Sequence, residues 1–330
     1  MHRTCKFLLV MIFLLPVWTL PRAVAQTCSA AAEMDAATRS SLESAAHQFF
    51  DYASKGDVFD LKQAAIASLS SNLGNIEAVV IDQKSAYAGA EAKVRAAYSL
   101  EAAGAAPLAR AEFMCGVWAT PSWATFVINN LPPGRYGLVI QDVTGSKGDY
   151  TLTMVLKQEA GSWKLAGYYS KPADIGGHDY QWFLSKAREF KAKGANHNAW
   201  FYYLTAWDLM APVDFISTPR LDKVSDEMQS VRPPDLPTGD HPLPLVAGGR
   251  TYQVIYMSTL SVGNDLNLLV KYRAPDVSDT QKTFDDNMAV IRAIVGRYPE
   301  FREAFAGVVV RATEPSGRDY GTLLAMKDVK

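Results

Sequence analysis

YTLTMVLKQEAGSWKLAGYYSK, residues Tyr150–Lys171, decides how the first half of this chain folds. Apolar side chains recur at alternate positions on either side of Glu159-Ala160-Gly161-Ser162, and a period of two marks half-buried strands. The stretch therefore predicts a hairpin of two strands, Tyr150–Gln158 and Trp163–Tyr169. Four more β-type runs lie upstream, Val94–Leu100, Ala111–Trp118, Trp123–Ile128 and Tyr136–Val143. Turn signals punctuate them, notably Leu131-Pro132-Pro133-Gly134 and Thr144–Asp149. Before the strands, Ser41–Leu69 reads as helix, because Leu42, Ala45, Ala46, Phe49, Phe50 and Ala53 recur at three-to-four spacing. Lys55-Gly56-Asp57 interrupts this helix, and a second turn falls near Asn72–Gly74. Helices followed by hairpin-joined strands give an α+β order, with helices covering one face of a curved antiparallel sheet.

Helices leading into a meander that ends in this hairpin resemble the NTF2-like (cystatin-related cone) superfamily over about residues 40–172. The last hairpin carries the likeness: a Gly-Ser turn, then Trp163-Lys164-Leu165 and Gly167-Tyr168. The resemblance implies a cone-shaped cavity between sheet and helices. Some members use it for isomerase or cyclase chemistry, and many bind ligands or partners without catalysis. Catalytic members place an Asp, His or Tyr at particular pocket-facing strand positions. No residue here matches those positions, so no catalytic residue is assigned. FVINNLPPGRYGLVI (Phe126–Ile140) is also similar to an edge of small carboxypeptidase-regulatory-type β-sandwiches, which have no place for the long leading helices.

Gly177–Pro212 is crowded with aromatic residues. Phe183, Ala187, Phe190 and Gly194 form one helix face ending at a glycine stop. Ala199, Tyr202, Tyr203, Ala206 and Leu209 form a second, and EFKAKGANHNAWFYYLTAWDLMAP (Glu189–Pro212) is similar to half of a tetratricopeptide unit. No second copy follows, so one helical hairpin at about 180–212 is expected rather than a solenoid. Trp200, Tyr203, Leu204 and Trp207 add a second apolar stripe, so this helix is expected to be buried on two sides, with both tryptophans against the first domain. Asp179 can orient His178 as a base, yet no activated nucleophile or oxyanion loop adjoins the pair. Asp179 is therefore read as the cap of a helix starting at Tyr180. His178 and Asp179 remain the candidates for a binding site.

Thr218-Pro219 starts a further short helix. Ser230–Gly249 is rich in proline and glycine and suits an extended linker. Beyond it, strands at Tyr252–Leu260 and Leu266–Tyr272 flank a Gly263-Asn264 turn. Ser278–Gln281 has capping-box form and opens a helix with Phe284, Met288, Ile291, Ile294 and Val295 on one face. AGVVVRAT and TLLAMKD complete a ββαββ unit of no recognised family. Asp276, Asp279, Asp285 and Asp286 lack the order of an EF-hand and suit the start of a helix. His47, His197 and His241 show no metal spacing. No phosphate loop, nucleophile elbow or zincin helix occurs, so neither a metal nor a cofactor is expected.

The N-terminus has the three parts of a secretory signal: Arg3 and Lys6, the apolar run Phe7–Leu20, and small residues at Ala23 and Ala25. Cleavage is expected between Ala25 and Gln26. Pro16 and the short run argue against a retained membrane span. Thr27 before Cys28 argues against lipid attachment. The chain carries a formal charge of −1, and removal of Arg3, Lys6 and Arg22 leaves 30 basic against 34 acidic residues, or −4. Without a basic block there is no footprint for nucleic acid. The two remaining cysteines favour a Cys28–Cys115 bridge, the alternative being a buried thiol at Cys115 and an idle Cys28 on a frayed end. The expected organisation is a signal peptide (1–25), an NTF2-like domain (26–172), a hairpin docked on it (173–229), a linker (230–249) and a small α+β domain (250–330). The function expected is that of an exported, periplasmic or secreted, non-catalytic protein binding a small ligand or a protein partner. The alternatives are an enzyme using the cone pocket and a scaffold using the hairpin's aromatic surface.

Overall fold

The computed structural model describes residues 26–117 and 120–330. The expected signal segment 1–25 with Ala25, and Trp118 at the end of an expected strand, lie outside the described residues. The architecture is mixed α+β, with antiparallel sheets that do not close into a barrel.

Strand β1 (Thr27–Ala30) precedes helices α1 (Ala36–Lys55), α2 (Val58–Gln63), α3 (Ala67–Ser70) and α4 (Gly74–Tyr87). Asp35 caps α1 by accepting the Thr38 N–H at 2.8 Å, and Gly56 ends it at φ 68°, a left-handed turn that favours glycine. Helix α4 was not expected. Its β-branched Ile76, Val79, Val80 and Ile81 crowd together without a clean stripe, and Val79 and Ile81 stay exposed while Val80 is buried. Tertiary packing, through Val80, Ala86 and Tyr87, holds this helix where local propensity is neutral.

Six strands follow: β2 (Glu91–Ala102), β3 (Leu108–Cys115), β4 (Ala124–Leu131), β5 (Gly134–Gly145), β6 (Gly148–Glu159) and β7 (Ser162–Pro172). The hairpin expected over Tyr150–Lys171 is β6–β7. Its turn places Ala160 at φ 49° and Gly161 at φ 82° between the paired Glu159 and Ser162, a two-residue loop whose twist matches the strands. The strands do not form the single sheet expected. One sheet runs β1-β2-β5-β6-β7, while β3 and β4 separate into a second layer. The reason lies in two apolar faces. Leu42, Phe49, Phe50, Val139, Met154 and Tyr168 pack between α1, α4 and the first sheet. Leu100, Leu138 and Ile140, on the opposite face, pack against Phe113 and Phe126 of the second sheet. Cys28 is not idle on a frayed end. It sits in β1 and is bridged to Cys115 in β3, with α-carbons 5.1 Å apart, so the bond joins the two layers.

The chain continues through β8 (Asp174–Ile175) and β9 (His178–Asp179) into α5 (Tyr180–Ala192) and α6 (Asn196–Met210), with Gly194 at φ 76° in the turn between them. Strand β10 (Ile216–Ser217) returns to the second sheet and pairs with β4, and α7 (Pro219–Gln229) follows with Thr218 as its cap. The stretch 230–249 is more than a linker, because Leu243–Ala247 forms β11, the edge strand on β12 (Arg250–Val262). Pro244 is tolerated there since an edge strand does not need every N–H. The remainder is β13 (Asp265–Arg273), α8 (Thr280–Arg297), α9 (Phe301–Ala304), β14 (Gly307–Thr313) and β15 (Asp319–Ala325). The sheet order is β11-β12-β13-β14-β15, antiparallel except for β13–β14, which α8 and α9 connect. Asp279 rather than Ser278 caps α8, accepting the Lys282 N–H at 2.9 Å. The buried face is therefore turned from the expected one: Thr283, Asn287, Val290, Ile291, Ile294 and Val295 face inward and Phe284 is exposed.

The hairpin is not simply docked on the first domain. Helix α6 buries Asn198, Phe201 and Thr205 as well as the expected stripe. Phe201 meets Phe301 and Phe305, the Tyr202 hydroxyl donates to Ala304 O at 2.6 Å, and Thr205 Oγ1 donates to Thr259 Oγ1 at 3.1 Å. Hairpin and C-terminal sheet thus share one core. Trp200 and Trp207 are half-buried, which corrects the expectation that both are buried against the first domain. Arg232 lies over the Trp200 ring at 5.6 Å, and Trp207 touches both cores.

Candidate functional site

The Asp179 carboxylate accepts the Gln181 and Trp182 N–H groups, both at 3.1 Å, and so caps α5. His178 is exposed and stacks on the Trp182 ring, with centroids 3.8 Å apart and planes 9° apart. Beside them Gly176, at φ 63°, lies against the Gly263-Asn264 turn. A Cβ at Gly176 would come within 2.7 Å of Asn264 O. Ile175, Gly176 and His178 of the short β8–β9 ribbon border an open cleft with Trp182 and Asn264.

Side chains of the helices and of the first sheet pack together in the interior between them. Tyr87 packs against Phe50 and Tyr150, and its hydroxyl meets Ser170 Oγ at 2.5 Å. Burial pushes the Tyr87 phenol up to about 12 and raises that of Tyr168 further. Gln141 is the exception to the apolar lining. It is 0% exposed, and its carboxamide meets no hydrogen-bond partner among the described residues. The sequence held a signal for this residue: Val139, Gln141 and Val143 share one strand face, so a polar group was aimed into the core.

The opposite face of the same sheet carries an open cleft. It lies between β2 and β5 on one side and the α6–α7 connection on the other, and encloses about 450 Å³. Tyr98, Ile140, Leu209, Met210, Ile216 and Leu221 line its walls. Ile140, Leu209, Ile216 and Leu221 are buried, while Tyr98 and Met210 are half-buried and form the accessible surface. Two guanidinium groups, Arg95 and Arg220, stand at its mouth. Arg95 is paired with Asp142 at 3.0 Å. Arg220 lies over the Tyr180 ring at 5.0 Å and meets no carboxylate among the described residues. Lys171 fixes this geometry from behind: its ammonium bridges Asp208 at 2.9 Å and Asp214 at 2.8 Å, holding the end of α6 against β7. Burial works against the charged Lys171, but the two carboxylates outweigh it and raise its pKa. The residues of the cleft come from five separated segments without a shared motif, so nothing in the sequence brought them together.

No group of three or more metal-ligating side chains occurs among the described residues, and no described helix is long and apolar enough to cross a membrane. No protein-family model matches the chain, and no curated protein or solved structure shows significant similarity to it.

Proposed function

We propose that this chain is an exported, non-catalytic binding protein built on an NTF2-like helix-on-sheet domain, with its ligand in the cleft between that domain's outer sheet face and the helical hairpin. The carrying observation is the cleft itself: about 450 Å³, walled by apolar side chains from two layers, within the ~300–1,000 Å³ range of small-molecule sites. Export is supported by the signal-like N-terminus and is compatible with the Cys28–Cys115 bridge. The NTF2-like assignment rests on the order of helices and meander and on the β6–β7 hairpin. The cone interior offers a carboxamide and phenols held above their ordinary pKa, groups suited to packing and hydrogen bonding rather than proton transfer near neutral pH. Half-buried Trp200 and Trp207 give little support to an exposed aromatic scaffold.

A thermal-shift titration with 1-octanol and octanoate tests the location. A ligand at ~100 times its Kd stabilises by about 2.7 kcal/mol. Met210→Trp, which fills the cleft, is expected to abolish the shift, and Gln141→Leu, inside the cone, is expected to leave it intact. The reverse pattern would place the ligand in the cone and overturn the proposal.

A further inference from the structure

We infer that the cleft takes a carboxylate on an apolar body, its head held by Arg220 and its chain lying against Met210 and Tyr98. The inference rests on the cleft being the binding site and adds the chemistry of what enters it.

The charges at the mouth decide the head group. Among the described residues no Asp or Glu lines the cleft, and the charged groups that line it are the two guanidiniums. Arg95 already has Asp142 at 3.0 Å, so it brings little net charge to the mouth. Among the described residues Arg220 meets the Tyr180 ring and no carboxylate; the cation–π contact positions the guanidinium and leaves its N–H donors for a ligand. A planar guanidinium with free N–H groups matches a carboxylate in a two-bond fork. Arg220 also lies in the first turn of α7, where the helix dipole adds partial positive charge to the same mouth. One unpaired cation favours a head of single negative charge. The Tyr180 hydroxyl, which accepts the Gln181 side-chain N–H at 3.0 Å, is held in place beside it.

The walls decide the body. The half-buried Tyr98 and Met210 have apolar surface that a polar ligand would leave unmatched, and methionine adapts its shape to flexible chains. A medium-length alkyl chain covers both without displacing the buried Ile140 or Leu221 behind them.

Isothermal titration of the mature protein with octanoate and with 1-octanol separates head from body. Octanoate is expected to bind at least about tenfold more tightly than 1-octanol, since a hydrogen bond to a charged group is worth that much or more. Arg220→Met is expected to weaken octanoate by the same factor and leave 1-octanol unchanged, with Arg220→Lys falling between. Circular dichroism of each variant checks that the fold is intact. Equal binding of the two probes, or an Arg220→Met protein that holds octanoate as well as the parent, would overturn the inference. If Met210→Trp then abolishes both probes, the cleft remains the site and only the head group is wrong. If both probes bind but ignore Met210→Trp, the cleft is not the site and both readings fall.

Discussion

Phe201→Ala should weaken the C-terminal sheet although Phe201 belongs to the helical hairpin. Phe201 is 0% exposed and stands edge-on to Phe301 at 6.0 Å and Phe305 at 5.9 Å. Truncating a core phenylalanine costs ~3–5 kcal/mol, and each aromatic pair carries ~0.5–1.5 kcal/mol beyond its area. Losing two such pairs places the expected cost in the upper part of that range, about 4–5 kcal/mol. Urea unfolding followed by tryptophan fluorescence and far-ultraviolet circular dichroism provides the assay. Residues 230–330 contain no tryptophan, so fluorescence reports on the hairpin and the first domain, while dichroism also reports on the C-terminal sheet. With one shared core, both probes are expected to shift together to lower urea in the variant. A double-mutant cycle with Phe301→Leu should return a coupling of about 0.5–1.5 kcal/mol. A loss below ~1.5 kcal/mol, well short of a core truncation, would refute the reasoning. So would a dichroism transition that stays in place while fluorescence moves, or a stable proteolytic fragment beginning near Arg250.

Four further outcomes are expected. Replacing both Cys28 and Cys115 by alanine opens a loop with a sequence separation of 87, worth about 4.6 kcal/mol in the chain-entropy model, and denaturant unfolding showing under ~1 kcal/mol would count against that model here. Asp179→Ala should cost ~1 kcal/mol through the lost α5 cap, while His178→Ala should stay within about 0.5 kcal/mol; a larger loss for His178 in thermal unfolding would reverse their roles. Burial would raise the Asp235 carboxyl, but hydrogen bonds from Tyr298 at 2.6 Å and with His197 at 2.8 Å outweigh it and depress its pKa. A depressed carboxyl stabilises above its unfolded value of ~3.9 and loses that contribution as pH falls through the folded value. Asp235→Asn should therefore lose about 1 kcal/mol at neutral pH and show a shallower acid limb below about pH 4, so an unchanged limb in stability–pH curves would refute the assignment. Gln141→Leu should leave stability unchanged or raise it by ~1 kcal/mol, and a loss above 2 kcal/mol would show that the carboxamide is bonded to something held inside.

Local periodicity made much of this fold legible. The alternation through Tyr150–Lys171, the faces of α1 and α5 and the Asp179 cap all follow from neighbours in sequence, and the structure has them. What escaped depends on distant partners. Alternating residues reveal that β3 and β4 have an apolar face, but not that it turns toward Leu138 and Ile140 in a second layer. Helix α6 is apolar nearly all round, so its pattern could show burial on two sides without showing that Phe201 meets residue 301 rather than the first domain. A proline-rich composition concealed β11, because an edge strand tolerates Pro244. The cleft escaped altogether: Arg95, Tyr180 and Arg220 have no spacing in common, and only the returning connection brings them to one mouth.

That returning connection, the two-residue strand Ile216–Ser217, also sets a timetable. Until residue 217 has left the ribosome, β4 presents a bare edge where Phe126 will later face Ile216. The second layer, a sheet of β10, β4 and β3, is thus complete only when two-thirds of the chain is available. Contacts across such distances close slowly, and an unpaired edge invites strand exchange with other chains while it waits. A protein stitched in this way gains from staying extended until that length of chain is available. Release of the first 172 residues alone is expected to produce aggregates rather than a soluble domain, as light scattering of that fragment would show.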